Sequence, residues 1–377
     1  MLTGLIMSSA NAQIFAANEK HIVNHDIMHC TAEGVVGNHL YSGRALGITE
    51  SYDIIQLSDQ LKPLFEYISR HYMRVGLSHT RDVIWNVEMD QLGKYIGFYP
   101  SVFFFGAQQY FSWGDNEWLS IVDYINSKNN FIELANQIGI KVPMTLAFDS
   151  VDKIDNATIV KATYPCYLKA AVSVSGVGIY RCENPQELRK AITSFDTQVP
   201  VQIQEEVQAK TFLNLQYKIE YGFALRLACT EQILDSFEHQ ENTYPACYEP
   251  WEVVDPMAAW MAERGMKGVF AFDVAVIEKP DGVTYFAIEC NPRYNGATYS
   301  ALIAQKLSIK QWVAKTYSTR YRDLNDIPID HIEYSKKSGY GVIIVNWGTI
   351  LEGKLMILLA GNSEQQQYLD AELISCL

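Results

Sequence analysis

The sequence predicts an α/β (α+β) protein, and three observations carry that reading. Residues 1–125 alternate strand-like and helix-like patches, as an α/β domain does. A helix with clear ends opens at Ser127. Between Phe270 and Ser300, two β-branched and aromatic runs flank Pro280-Asp281-Gly282, a turn sequence that makes them a β-hairpin. A chain of 377 residues has room for roughly two or three domains.

Taken in order, Tyr52 to Leu57 reads as a strand and Leu61 to Arg74 as an amphipathic helix. Ser101 to Gly106 contains VFFF, a buried strand. In SKNNFIELANQIGIKVP, Ser127 caps a helix. Phe131, Leu134 and Ala135 keep helical spacing, and Gly139 stops it. Tyr164 to Arg181 (YPCYLKAAVSVSGVGIYR) reads as strand, loop, strand, and Pro200 to Val207 alternates like another strand. Phe212 to Cys229 reads as two strands with a turn near Tyr221-Gly222, and Thr230 to Asn242 as a loop. Ser300 to Tyr317 is expected to be helical, Gly339 to Ala360 to return to strands, and Ser363 to Leu373 to close with a helix.

Bulk properties exclude several classes. Hydrophobic content of 48% and charged content of 19% describe an ordinary folded protein. A net charge of −13 argues against nucleic-acid or anionic-membrane partners. The seven cysteines form no CxxC pair, so a reducing, cytoplasmic compartment is expected. No run approaches the ~20 apolar residues of a membrane span. The opening MLTGLIMSSANAQ lacks the basic region of a signal peptide, and its apolar run is short of the ~7–15 residues one needs.

The hairpin carries the chemistry. Folded about Asp281, it sets Asp273 opposite Glu289, with Asn291 on the same face. Opposed carboxylates in an apolar sheet repel unless a cation lies between them. Two carboxylates and an amide oxygen are hard ligands suited to Mg²⁺. Arg293 follows in phase, where it can grip a phosphate or carboxylate. Lys169 ends an apolar strand just before a small-residue loop, a place from which lysine reaches nucleotide phosphates. His21, His25, His29 and Cys30 sit at helical spacing, but no second ligand pair is nearby, and a surface helix explains them better than zinc.

In this order, SK at 127–128, YPCYLKAAVSVSGVGIYR, VQIQEEV, FAFDV and IECNPR resemble the ATP-grasp superfamily, over about half the chain from Asn126 to Lys306. The resemblance implies an ATP-grasp fold: an N-terminal pre-ATP-grasp α/β domain at 1–125, a two-lobed body at 126–335 and a small C-terminal unit at 336–377. It implies that Lys128 and Lys169 contact ATP phosphates, and that the loop holding Ser175, Gly176 and Gly178 covers them. Gln204 would meet the adenine amine where relatives usually carry Glu. Glu205 and Val207 would offer main-chain groups to the adenine edge. Asp273, Glu289 and Asn291 would hold Mg²⁺, or Mn²⁺ in its place. Arg293 would stabilise transferred phosphate or the substrate carboxylate, with Lys169 beside it. The covering loop is poorer in glycine than in many relatives.

The implied chemistry is ATP-dependent joining of a carboxylate to an amine through an acyl phosphate. ECNPRYNGATYS, the N-terminal domain and GVIIVNWGTILEGKL look similar to pheganomycin-type peptide ligases, which implies amino-acid or peptide substrates. In such a ligase Gln232, Glu238 and His239 would hold the incoming amine. Arg226, a cation inside an apolar strand, would touch phosphate or substrate, or pair with a structural carboxylate. Carboxylation, phosphorylation, thioester formation and non-catalytic ATP binding stay as alternatives. The superfamily suggests a homodimer, although no residue here specifies one.

Overall fold

The computed structural model of the protein describes residues 19–30, 36–95, 97–173, 178–235 and 238–377, with the side chains of all of these except 91–93 and 234–240. Ser175 and Gly176 therefore lie outside the described residues, as do the side chains of Glu238 and His239. The described strands form three sheets.

The N-terminal sheet is parallel. β1 (His21–Asn24), β2 (Ile54–Gln56), β3 (Val83–Ile84) and β4 (Tyr99–Val102) lie in the order β3–β2–β1–β4. Helix α1 (Phe65–Val75) starts later than the sequence suggested. A 3₁₀ segment with Pro63 precedes it, because proline lacks the N–H that a helix interior requires. The surface helix expected around His21 is instead β1. His25 is fully buried, its ring nitrogens 2.8 Å from the Tyr299 hydroxyl and 3.1 Å from Ser101 Oγ, so it is a satisfied core histidine. The VFFF strand ends early, at Val102. Phe103 and Phe105 leave β4 to pack in the core, and Phe104 forms a β-bridge with Arg293.

Helices α2 (Ala107–Trp113) and α3 (Asn116–Asn126) lead to α4 (Lys128–Ile138). Its ends are those read from sequence: Ser127 Oγ accepts from Asn130 N, and Gly139 closes the helix in the left-handed region at φ 79°. The second sheet combines β5 (Thr145–Phe148), β6 (Cys166–Ala170), β7 (Ile179–Cys182) and β8 (Val201–Glu205) in the antiparallel order β5–β8–β6–β7. Helices α5 (Asn156–Lys161) and α6 (Pro185–Ile192) accompany it. Leu168, Leu188, Val201 and Ile203 give this lobe its own small core.

The 8-stranded third sheet begins with β9 (Thr211–Glu220), β10 (Phe223–Asp235) and β11 (Glu238–Tyr244). The segment from Thr230 to Asn242, read as a loop, is therefore mostly paired strand. After α7 (Trp251–Ala262) come β12 (Val269–Lys279), β13 (Gly282–Asn291), α8 (Gly296–Leu307) and β14 (Trp312–Ser318). This corrects the helix expected from Ser300 to Tyr317. Ser308 adopts φ 58° at the end of α8, and the alternation of buried Trp312 and Ala314 with half-buried Val313 makes the rest a strand. Finally β15 (Gly341–Asn346), β16 (Lys354–Ala360) and α9 (Ser363–Cys376) follow, giving the order β13–β12–β9–β10–β11–β14–β16–β15.

One core runs through both ends of the chain: Leu40, Ile55 and Ile68 pack in the same cluster as Val342, Ile344 and Leu358. Glu333 reinforces the joint. It accepts from His71 Nδ1 at 2.6 Å and from Arg74 at 2.6 and 2.7 Å, while His71 Nε2 accepts from Ile344 N. Among the described residues, no helix is long and apolar enough to cross a membrane.

Candidate active site

β12 and β13 turn through Pro280-Asp281, with Lys279 opposite Gly282. An uninterrupted ladder from there would set Asp273 against Ile288 and turn Glu289 to the other face. Instead, a bulge lies between Asp273 and Val274: Val274 pairs with Ala287 while Asp273 pairs with Glu289. Ile288 is the extra residue. A one-residue shift inverts the faces of a strand, so the bulge is what puts both carboxylates on one side.

Asp273 is gripped by amides. Asn214 Nδ2 and Gln232 Nε2 each donate to Oδ1 at 2.7 Å, and Asn291 Nδ2 donates to Oδ2 at 2.9 Å. Asn295 fixes Asn214 through a 2.9 Å bond to its Oδ1, while its own Oδ1 caps α8. Sequence reasoning missed Asn214 and Asn295. The signal was present in FLNLQYKI, where Asn214 interrupts an apolar strand directly opposite Asp273. Gln232, expected to hold a substrate amine, is bound to Asp273.

Two lysines face the carboxylates. Lys128, in the first turn of α4, places Nζ 2.8 Å from Glu289 Oε2. Its backbone N–H donates to Ala171 O at 2.7 Å, tying α4 to the end of β6. Lys169 is buried on β6 and donates to Gln204 Oε1 at 2.7 Å, and Gln204 Nε2 donates to Thr145 Oγ1 at 3.0 Å. Burial lowers Lys169 to about 8, with Glu289 resisting and Lys128 adding to the shift. Burial and then the Glu289 charge raise Asp273 to about 6, although the three amides oppose this. Burial would raise Glu289 too, but Lys128, Lys169 and Arg293 together hold it down at about 2.

The donor set fits a hard divalent cation. Asp273, Glu289 and Asn291 supply carboxylate and amide oxygens on one face, and a cation there would relieve the repulsion that raises Asp273. The remaining expected residues are placed as follows. The Glu205 N–H is bonded to Met144 O at 2.9 Å, and Val207 O accepts from Ala209 N at 2.8 Å. Gly178 and Arg293 line one cavity of about 650 Å³, together with His29, Cys30, Phe104 and Ser173. Arg293 thus meets the N-terminal segment beside the carboxylates. A smaller cavity of about 350 Å³ near Lys315 and Asp370 is separate from these residues.

Arg226 is not part of the cluster. It faces Tyr217 across β9, on the side of the sheet opposite Asn214, and its guanidinium grips Asp255, which also accepts from the Tyr217 hydroxyl at 2.8 Å. Arg226 thus has a structural carboxylate as its partner, the pairing that the sequence offered beside a phosphate or substrate contact.

Neither a protein-family model nor a curated protein sequence matches the chain. Solved structures do. The ADP complex of N5-carboxyaminoimidazole synthetase from Staphylococcus aureus superposes with a TM-score of 0.61 at 12% identity, covering 94% of this chain and 96% of that one. Biotin carboxylase from Campylobacter jejuni gives 0.56 at 12% identity, covering 91% and 87%. L-amino acid ligase from Bacillus licheniformis gives 0.53 at 13% identity, covering 96% and 98%. These likenesses span nearly the whole chain, and the fold they share with it is the ATP-grasp fold.

Proposed function

We propose that the chain is an ATP-dependent carboxylate–amine ligase that joins an amino-acid or peptide carboxylate to an amine through an acyl phosphate. The observation that carries this reading is the closed charge cluster of Asp273, Glu289 and Asn291 with Lys128 and Lys169. It stands on a fold whose similar structures include an ADP complex and an L-amino acid ligase.

In this reading Asp273, Glu289 and Asn291 hold Mg²⁺, or Mn²⁺ in its place, which supplies charge neutralisation for the phosphates. Lys128 and Lys169 bind phosphate oxygens, with Lys128 exchanging its Glu289 partner for phosphate. Gln204, Glu205 and Val207 border the adenine, and Gly178 with Ser175 and Gly176 covers the phosphates. Arg293 neutralises charge on the transferred phosphoryl group and on the carboxylate that accepts it. The carboxylate attacks the γ-phosphorus, the bond from that phosphorus to the β–γ bridging oxygen breaks, and ADP leaves. The amine, as the free base, then attacks the acyl carbon, the C–O bond to phosphate breaks, and the proton lost by the amine leaves with the phosphate. No side-chain nucleophile is needed; the residues act by position and charge. Burial of the cluster keeps water from the acyl phosphate. Glu238 and His239 stay assigned to the amine. The division at 126 and 336 and the likeness to pheganomycin-type peptide ligases belong to the same proposal.

A second reading has its own support: two of the similar structures are N5-carboxyaminoimidazole synthetase and biotin carboxylase, so the alternative is a carboxylation, tested with bicarbonate as the acid. One experiment separates the two. Mg²⁺-dependent ADP release is measured with amino acids singly and in pairs, and with bicarbonate, and products are weighed by mass spectrometry. Release that needs a pair, with a product equal to their sum minus water, supports the ligase. Release that needs bicarbonate and no amino acid overturns it.

A further inference from the structure

Outside the charge cluster, three side chains with three different donor atoms converge on the C-terminal helix. His331, Glu372 and Cys376 bring a ring nitrogen, a carboxylate oxygen and a sulfur to within 4.8 Å of one another. His331 Nε2 is 3.3 Å from Glu372 Oε2. Glu372 and Cys376 lie four residues apart on α9 and so share one face. His331 comes from the 3₁₀ turn Asp330–Ile332.

The backbone beneath these groups is fixed. Ile332, next to His331, is buried in the same core as Leu369 and Leu373, the inward residues of α9. The turn and the helix therefore cannot drift apart without opening that core, and only exposed or half-buried side chains need to adjust. Zinc bonds of about 2.0–2.3 Å at tetrahedral angles set ligand atoms roughly 3.3–3.8 Å apart, so shifts of about 1 Å close the triad around one ion.

We propose that His331, Glu372 and Cys376 form a zinc-class metal site that clips α9 to the Asp330–Ile332 turn. A nitrogen, an oxygen and a sulfur suit a borderline cation such as Zn²⁺ and do not suit Mg²⁺, which takes oxygen. Three protein ligands leave a fourth position for water. Ser375 Oγ donates to Glu372 O at 2.8 Å and lies 3.9 Å from the Cys376 sulfur, so it would have to turn from that carbonyl to support a thiolate from outside the ligand set. The clip has a structural consequence. Glu333, two residues from His331, latches Arg74 and His71 of α1, so an ion at the triad would stiffen the turn that joins the N-terminal segment to the C-terminal helix.

The test is Co²⁺ titration of the full-length protein in excess Mg²⁺, with melting temperature followed in parallel under Zn²⁺. The expected result is one equivalent of Co²⁺ giving a thiolate-to-cobalt charge-transfer band that Zn²⁺ displaces. Cys376→Ser should abolish the band. His331→Ala should weaken binding by more than the roughly 10–100-fold that loss of an outer partner costs. Zn²⁺ should raise the melting temperature of the wild type and of neither variant. Absence of the band in the wild type would overturn the proposal. So would a band that survives in Cys376→Ser, which would assign it to another thiol such as the exposed Cys247. The readout is metal binding, so it decides the matter whatever reaction the chain performs.

Discussion

Lys128 Nζ, which is buried, and Glu289 Oε2, which is half-buried, form a 2.8 Å ion pair that joins the first turn of α4 to β13. The pair holds Glu289 at about 2 although burial works the other way. A carboxylate depressed below its unfolded value, ordinarily about 4.3, contributes stability above that pH. The contribution disappears as pH falls from there through about 2. Glu289→Gln removes it and leaves the Lys128 ammonium buried without its partner, a loss of about 1–3 kcal/mol at pH 7. Urea melts of wild type and variant at pH 7 and pH 3 check this: the gap should narrow at pH 3. An equal gap at both would mean that the pair does not set the acid limb. Turnover of the variant should be almost lost at pH 7.

Lys169 is expected to make nucleotide binding pH-dependent. Burial lowers it to about 8, so without ligand it deprotonates as pH rises past that value. A phosphate beside it favours the charged form, and binding above pH 8 must therefore take up a proton. Affinity for ATP should fall as pH rises through about 8. Lys169→Met should weaken binding at pH 7 by about 10- to 100-fold, the worth of one charge-assisted hydrogen bond, and remove the pH slope. Titration calorimetry in two buffers of different ionisation enthalpy measures both effects. A slope that persists in the variant would assign the proton elsewhere.

Asp273 gives the opposite limb. It is raised to about 6 by burial and by Glu289, with Asn214, Gln232 and Asn291 holding it down. Only the ionised carboxylate holds a cation well, so Mg²⁺-dependent turnover should fall as pH drops through about 6. Gln232→Leu removes one donor to Oδ1, and the acid limb should move to higher pH. A shift of one unit is about a tenfold loss of activity at pH values below the limb, with little change at pH 8. A pH–rate profile reads this directly. If Gln232 instead holds the amine, the Michaelis constant for the amine will rise at every pH while the limb stays in place.

The site was legible where chemistry repeats at fixed intervals along the chain. Asp273, Glu289, Asn291 and Lys169 stood out because a carboxylate or a lysine in an apolar strand needs a partner. The pairing of Asp273 with Glu289 was reached by folding the hairpin about Asp281, yet the real turn is Pro280-Asp281. The Ile288 bulge supplies the missing residue, and nothing in the local sequence marks it. Asn214, Gln232 and Asn295 converge on Asp273 only through the order of β9, β10 and β12, which is long-range information. The largest misreading, a helix through Tyr317, followed from extending the α8 pattern past Ser308. Tertiary pairing of β14 with β11 and β16 overrides that local pattern.

Arg226 and Asp255 separate structure from catalysis. They lie on the sheet face away from Asp273, with the Arg226 guanidinium 5.5 Å from the centre of the Trp251 ring. Among the described residues, Arg226→Met would leave the buried Asp255 carboxylate with the Tyr217 hydroxyl alone. The expected cost is about 1–3 kcal/mol, nearer the lower figure because Arg226 is itself partly exposed. Replacing both residues, Arg226→Met with Asp255→Asn, removes the unmatched charge and should restore part of the loss. Denaturant midpoints of the three variants measure this cycle. The catalytic constant and the Michaelis constants of the folded Arg226→Met protein should equal those of the wild type. A raised Michaelis constant for any substrate, at unchanged stability, would return Arg226 to the binding site.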